Sequence, residues 1–387
     1  MSTTTEAEIL DPSELAEAKE YNRAEFRCDL LDRGIDLAYL SIASFLLAIP
    51  LDHWLLARGW EQRTMRLCLM YAIITLLHMA ISFPLSLYSG HLLEHRYQLS
   101  RQTFSGWLWR YFKRNLITLL MGTLLTVVLY QIIWRTGPLW WLVAAAAYFG
   151  LSILLGQLAP VLLLPLFYKI ERCDDAAMQD RFGKLAQGTG LSLEGVYRMS
   201  MSDETAKANA MLAGLGATRR VILGDTLLDG FEANEIDVIF AHEVGHHVHR
   251  HVTKLIAIGL AYSLAGFFVC DQLIHSWVLQ HSDTMSYADL PVYTLPLLTL
   301  VTTIFFMLVE PVQNALSRHF ERQADTYALE RTHDVPAYRS AFKKLARLNK
   351  ADPDPHPWEV FLFHSHPPIA ARLQMADAFA AREISSP

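Results

Sequence analysis

The sequence predicts a mainly α integral membrane protein of about six transmembrane helices, joined to a soluble α+β portion with a small β-sheet. Three observations predict it. Hydrophobic residues make up 52% of the 387 and charged residues only 19%, the balance of a chain that lives largely in lipid. Six apolar runs punctuate the sequence, four before residue 168 and two after residue 254. Between and behind those runs the composition turns polar, and there the pattern His242-Glu243-Val244-Gly245-His246 occurs.

Residues 1–33 form a polar amino-terminal segment. Asp11-Pro12-Ser13-Glu14 has the capping-box pattern with proline at the first helical position, which predicts a short polar helix over about 12–27. No cleavable signal peptide is expected, because the first apolar run begins only at Gly34. Residues 34–167 hold four runs, Ile35 to Leu56, Met65 to Tyr88, Leu116 to Trp134 and Leu139 to Phe167, each close to or above the ~20 residues that cross a bilayer as helix. Pro84, Pro160 and Pro165 are expected to kink them, and Trp107, Trp109, Trp134, Trp140 and Trp141 suit the membrane interface.

Residues 168–254 read as the first half of a soluble domain. A helix is expected over Arg181 to Ala186, and strands over Gly195 to Met201, Asn209 to Leu215 and Arg220 to Leu223. Asn234 is expected to cap a helix through His242 and His246 that continues into the fifth span. Residues 255–310 carry two more spans, Leu255 to Leu279, with Asp271 towards its far end, and Pro291 to Val309. In residues 311–387, Ser317 to Asp325 reads as helix, Asp334 caps another, Asp352 to Trp358 is a linker, and a last helix starts near Pro367-Pro368.

Net charge is −6 with no dominant basic block, so nucleic acid is not expected as a partner. Cys28, Cys68, Cys173 and Cys270 are scattered without a C-x-x-C pair and read as plain thiols. With the amino end in the cytoplasm, inside segments carry Lys19, Arg23, Arg27, Arg33, Arg96, Arg101, Arg110, Lys113 and Arg114; outside loops carry Arg58, Arg63, Arg66 and Arg135, and His281 to Leu290 has no Lys or Arg. This asymmetry predicts a multi-pass protein with both termini and the soluble domain on the cytoplasmic side.

On a helix, histidines at i and i+4 share one face and can offer two imidazole nitrogens to one Zn²⁺, with Glu243 placed to take a proton from the attacking water. Glu321 can complete a His₂Glu set, and Asp325, one turn on, can accept the N–H of a liganding histidine. Two other readings stay open. An intramembrane site-2-type metalloprotease takes a third ligand from an L-D-G motif, and Leu228-Asp229-Gly230 is present. A non-catalytic membrane protein with a structural zinc would have no use for Glu243.

In order, Asn209-Ala210-Met211, Gly214-Leu215-Gly216, Asp225-Thr226-Leu227-Leu228, His242-Glu243-Val244-Gly245-His246, Ser317-Arg318-x-x-Glu321-x-x-Ala324-Asp325 and His364-Ser365-His366-Pro367-Pro368 with Arg372-Leu373 resemble the type-1 CAAX prenyl protease family, which includes a heat-shock membrane protease branch. The likeness spans roughly residues 165–375. In the amino-terminal half only the frame of Glu94 to Thr103 and Gln102-Thr103 agree. The resemblance implies a zincin-like metalloprotease domain that holds one Zn²⁺ per chain through His242, His246 and Glu321, with Glu243 and His366 catalytic. It implies that Asp325 and Arg372 support the ligands, and that a peptide or membrane-protein substrate, such as a prenylated C-a-a-X chain or a membrane protein under quality control, is cleaved at the cytoplasmic face of the bilayer. The strand holding Asn209, Ala210, Met211 and Leu212 is expected to pair with the substrate backbone. The family's eukaryotic members have seven spans, against six counted here.

Overall fold

The computed structural model describes residues 6–214, 219–281 and 286–385. After one turn, α1 (Glu6–Ile9), Asp11 opens α2 (Pro12–Ile42) through the expected capping box, accepting from the N–H groups of Ser13 and Glu14. The helix does not stop near residue 27. It runs through a π-helical turn, Ala43–Leu47, into α3 (Ala48–Ala57), so the polar segment and the first span are one rod. Its polar end is docked on the carboxyl-terminal part of the chain. Asn22 Nδ2 donates to the Lys350 carbonyl at 2.6 Å, Lys350 pairs with Glu17 at 2.6 Å, and Leu10 shares a core with Tyr338 and Leu373.

α4 (Arg63–Leu87) contains Pro84 and passes through a π-helical turn, Tyr88–Leu93, into the short α5 (Glu94–Arg96). α6 (Phe104–Thr136) and α7 (Trp140–Leu162) form a hairpin about Gly137, whose φ of +57° a side chain would resist. The Tyr148 hydroxyl of α7 donates to the Leu125 carbonyl of α6 at 2.5 Å. Among the described residues, five helical stretches are long and apolar enough to cross a membrane, and the third, Phe104–Leu166, folds back at this hairpin. The described chain therefore makes six passes. Leu46, Leu120 and Leu308, 65, 61 and 73% exposed, face outward as lipid contacts.

Among the tryptophans, Trp109 is exposed on the rim, but Trp140 is 1% exposed and donates Nε1 to Asp271 at 2.6 Å, and Trp107 is buried as well. The interface reading fails for these two because both rings are packed inside the bundle, and for Trp140 the acceptor that a buried indole N–H needs is Asp271. At one end of the passes Arg63 donates to the Ala288 carbonyl at 2.7 Å and Trp134 to that of Leu290 at 3.0 Å. At the other, Lys113 reaches the Leu166 carbonyl at 3.0 Å and Arg110 that of Phe167.

The soluble domain begins with a strand that the sequence pattern did not reveal, β1 (Ile170–Arg172), then α8 (Ala176–Ala186), β2 (Gly195–Met199), β3 (Ala210–Ala213) and β4 (Arg220–Gly224). The order is β1-β2-β4-β3: β2 and β4 are parallel and the two outer strands antiparallel to their neighbours. β3 is thus an edge strand. Leu215 and Gly216 of the glycine motif, and residues 282–285 of the loop after the fifth pass, lie outside the described residues.

α9 (Asp225–Gly230) leads to α10 (Ala233–Val248). Its cap is Glu232, which exchanges bonds with Glu235, rather than Asn234, which lies inside the helix and donates to Asp334 at 3.2 Å. α10 does not continue into the membrane either. Arg250, at φ +54°, breaks the chain before α11 (His251–His281). α12 (Leu295–Thr332) is the sixth pass and extends well beyond it. It is followed by α13 (Val335–Leu348), capped by Asp334, α14 (Pro357–Phe363), which starts inside the expected linker, and α15 (Ile369–Ser385). Phe182 of α8 stacks on Phe240 of α10, centroids 4.0 Å apart, in a core with Val221, Leu223 and Val244. Each such side chain contributes roughly 1.5–3 kcal/mol by leaving water, and together they fix α10 against the sheet.

Candidate metal centre

α10 and α12 bring His242, His246 and Glu321 together although nearly eighty residues separate them in sequence. Nε2 of His242 lies 3.1 Å from Nε2 of His246. Each of these nitrogens lies 3.3 Å from an oxygen of Glu321, Oε2 for His242 and Oε1 for His246. A four-coordinate zinc with bonds of ~2.0–2.1 Å sets neighbouring donors about 3.3 Å apart, so these separations suit one ion. The donor chemistry agrees. Glu321 is 4% exposed, and its buried Oε2 accepts no well-directed hydrogen bond despite its close neighbours, an arrangement that is costly without a cation.

His242 is oriented from behind. Its Nδ1 lies 2.9 Å from Oδ1 of Asp325, which is 0% exposed and also accepts from Arg372. A carboxylate only accepts, so Asp325 keeps the proton on Nδ1 and the lone pair on Nε2. Burial alone would lower the His242 pKa; the hydrogen bond to Asp325 leads the opposing causes and holds it above the ordinary value. Arg372 in turn lies over the Phe342 ring, its Cζ 3.9 Å from the centroid. On the other side, Nδ1 of His246 lies 2.9 Å from Nδ1 of His251. The sequence reading gives His251 no role of its own at the metal, because a partner five residues along, across a helix break, follows no helical spacing.

Two cavities meet at Glu243. One of about 740 Å³ is lined by Asn209, Ala210, Glu321, His366 and Arg372; the other, about 510 Å³ and more apolar, by Met211, Leu212, His246, Leu255 and Ile256. β3 runs along both. The Asn209 carbonyl accepts from Gly224 N–H at 2.9 Å, one step before the Ala210–Leu223 pair that begins the β3–β4 register. By antiparallel alternation Met211 also turns its N–H towards β4, and the main-chain groups of Ala210 and Leu212 face the free edge.

His366 projects from the turn before α15; its side chain is 65% exposed, and Nδ1 is 2.8 Å from Glu321 Oε2. Arg318 ties that turn to α12 by donating to the carbonyls of Val360 and His364 at 2.7 and 2.6 Å. Asp225 of the D-x-L-L element is 3% exposed and accepts from the N–H groups of Met201, Ser202 and Thr226 and from the Ser202 hydroxyl, at 2.6–2.9 Å. It fastens the loop that leads into β3. Asp229 of the L-D-G motif is spent on a surface ion pair with Arg198, at 2.8 and 3.1 Å, which removes the site-2-type reading. Glu94 receives the Tyr21 hydroxyl at 2.5 Å and Lys207 at 3.2 Å, so the weakly matching amino-terminal stretch links membrane helices to the sheet.

Comparison with known proteins agrees with this arrangement. Residues 173–380 match Peptidase family M48, and residues 3–169 match the description "CAAX prenyl protease N-terminal, five membrane helices", although the described part of that region makes four passes here. The chain is 30% identical to an uncharacterized metalloprotease, YhfN, of Bacillus subtilis, over 96% of this chain and 87% of that protein. It is 28% identical to a CAAX prenyl protease 1 homolog of Arabidopsis thaliana (76% and 69% covered) and 25% identical to CAAX prenyl protease 1 of Saccharomyces cerevisiae (79% and 70%). The fold is that of the crystal structure of S. mikatae Ste24p, with a TM-score of 0.82 at 20% identity, covering 95% of this chain and 89% of that one. The chain belongs to peptidase family M48 and is an integral-membrane metalloendopeptidase.

Proposed function

We propose that the protein is a zinc endopeptidase that cleaves membrane-associated proteins at the cytoplasmic face of the bilayer, with His242, His246 and Glu321 holding one Zn²⁺. The observation that carries the metal assignment is the spacing of the donor atoms: the two Nε2 atoms are 3.1 Å apart and each lies 3.3 Å from a different oxygen of Glu321. A zinc ion there supplies a Lewis acid that acidifies water and polarises the scissile carbonyl. Glu243 accepts the proton of the attacking water and delivers it to the leaving amine. It suits that task because it opens on both cavities and makes no hydrogen bond or ion pair among the described residues. His366, on the larger cavity, donates to the developing oxyanion. Asp325 and Arg372 keep His242 in its liganding orientation.

The substrate lies extended along β3, bonded through the outward main-chain groups of Ala210 and Leu212 rather than through Met211. Asn209 and Ala210 then border one side of the scissile bond and Met211 and Leu212 the other. The apolar cavity beside Leu255 and Ile256 supports an apolar or prenylated substrate entering from the membrane. The charge asymmetry of the loops supports the cytoplasmic face, as does the even number of passes, which would return both halves of the protease domain to the side of the amino end.

The test uses detergent-purified protein, one C-a-a-X peptide with and without its prenyl group, and elemental analysis. One zinc per chain, lost in Glu321→Ala, with faster cleavage of the prenylated peptide, is expected. Full zinc in a folded Glu321→Ala protein, or equal cleavage of both peptides, rejects the ligand set or the substrate class respectively.

A further inference from the structure

His246 is supported by a pair of residues that have no assigned role. Arg250, at φ +54°, turns the chain so that the first residue of α11, His251, folds back beneath the metal site. His251 is 1% exposed and its ring lies flat on Phe320, centroids 4.3 Å apart and planes inclined by 12°. Its Nδ1 is 2.9 Å from Nδ1 of His246 and its Nε2 is 2.9 Å from Oε1 of Gln323. Phe320 and Gln323 flank Glu321 on α12, so this contact joins the elements that carry the second and third ligands.

A neutral imidazole has one N–H and one lone pair, so the two bonds can run in only two directions. When His251 donates from Nε2 to the Gln323 oxygen, its Nδ1 is a bare acceptor. His246 then carries its proton on Nδ1 and keeps the Nε2 lone pair. When Gln323 instead turns its NH₂ group to His251, His251 donates from Nδ1, and the His246 proton moves to Nε2, the atom that faces His242 and Glu321. Only the first direction leaves a ligand.

We propose that Gln323, acting through His251, is a positioning residue that fixes His246 in its metal-binding tautomer. His242 needs no such relay, because the Asp325 carboxylate can only accept. An imidazole in that place has no direction of its own; Gln323, with its Oε1 turned to His251, sets it. The proposal rests on His246 being a ligand.

The test is metal affinity in the full-length protein purified in detergent, read by chelator competition and by the visible absorption of the cobalt(II)-loaded form. Gln323→Met keeps length and packing but cannot donate and offers only a weak thioether acceptor; ~10–100-fold weaker metal binding and shifted cobalt bands are expected, the range typical of lost partners behind a ligand. Gln323→Glu can only accept, and should hold metal at least as tightly as the parent with unshifted bands. His251→Phe, which keeps the stack on Phe320, should behave like Gln323→Met. A packing role predicts the reverse ranking of the two Gln323 variants. Parent-like affinity in Gln323→Met, or a tenfold loss in a folded Gln323→Glu protein, overturns the relay. Full zinc in His246→Ala would instead refute the ligand assignment on which it depends.

Discussion

Gly245 of α10 lies directly against Ala324 of α12, so closely that a Cβ on Gly245 would come within 2.9 Å of the Ala324 Cα and 3.1 Å of its carbonyl oxygen. The two helices touch backbone to backbone one residue before His246 and three after Glu321. Gly245→Ala must push the helices apart, at a cost of about 1–3 kcal/mol. The protein should still fold, with zinc affinity lowered because the third donor retreats from the other two. Chelator competition on the variant checks this; unchanged affinity would mean that the spacing is set elsewhere.

Glu243→Gln preserves shape and removes the proton acceptor. Zinc content should stay at one per chain while peptide cleavage falls by ~10²–10⁴-fold, the usual worth of a general base. Undiminished cleavage by the metal-replete variant would assign the proton transfer to another group.

Proline scanning of β3 separates its two edges. Leu212→Pro removes an outward N–H and leaves the ladder to β4 intact, so KM for an extended peptide should rise with the fold preserved. Met211→Pro removes an inward N–H opposite Ile222 and should lower the thermal midpoint. The opposite pattern would show that substrate does not lie along this strand.

The Asp225 carboxylate gives the soluble domain an acid limit. Burial alone would raise its pKa, but the hydrogen bonds from the Ser202 hydroxyl and from the backbones of Met201, Ser202 and Thr226 outweigh that and hold it below the ordinary value. A depressed folded pKa contributes stability that is fully present above the unfolded value of about 3.9 and lost as pH falls through the folded one. Asp225→Asn places an NH₂ among donors and should cost about 1.5–3 kcal/mol at neutral pH. Its thermal midpoint should also fall less steeply than the parent's below pH 4. A variant as stable as the parent at pH 7 would mean that other contacts hold the loop.

What could be read from the chain alone was what depends on neighbours in sequence. His242 and His246 share a helix face by spacing, Asp11 announces its cap within four residues, and the apolar runs reveal the passes. Glu321 needed the resemblance, because a charged helix explains the same residues without a metal. Three features escaped because they are settled by distant partners. β1 is only three residues long and exists by pairing with β2. Trp140 was read as a rim residue because Asp271, its acceptor, is 131 positions away. The break at Arg250 interrupts a stretch with no proline or glycine; it is stabilised by His251 meeting His246 and Phe320, contacts that exist only once α12 is in place.

α12 is a membrane pass and a bearer of the metal site in a single uninterrupted helix of 38 residues. A helix of that length is a stiff lever, rising 1.5 Å per residue. Past Pro296 in its first turn, the proline inside the helix, Pro311, lies between the apolar segment and Glu321, so any tilt imposed on the lipid-buried part is carried to the carboxylate or taken up at that point. Tilt is how a helix adjusts to bilayers thinner or thicker than its apolar length. The peptidase should therefore respond to acyl-chain length: reconstituted in a series of lipids, its metal retention and turnover are expected to pass through an optimum at a matched hydrocarbon thickness.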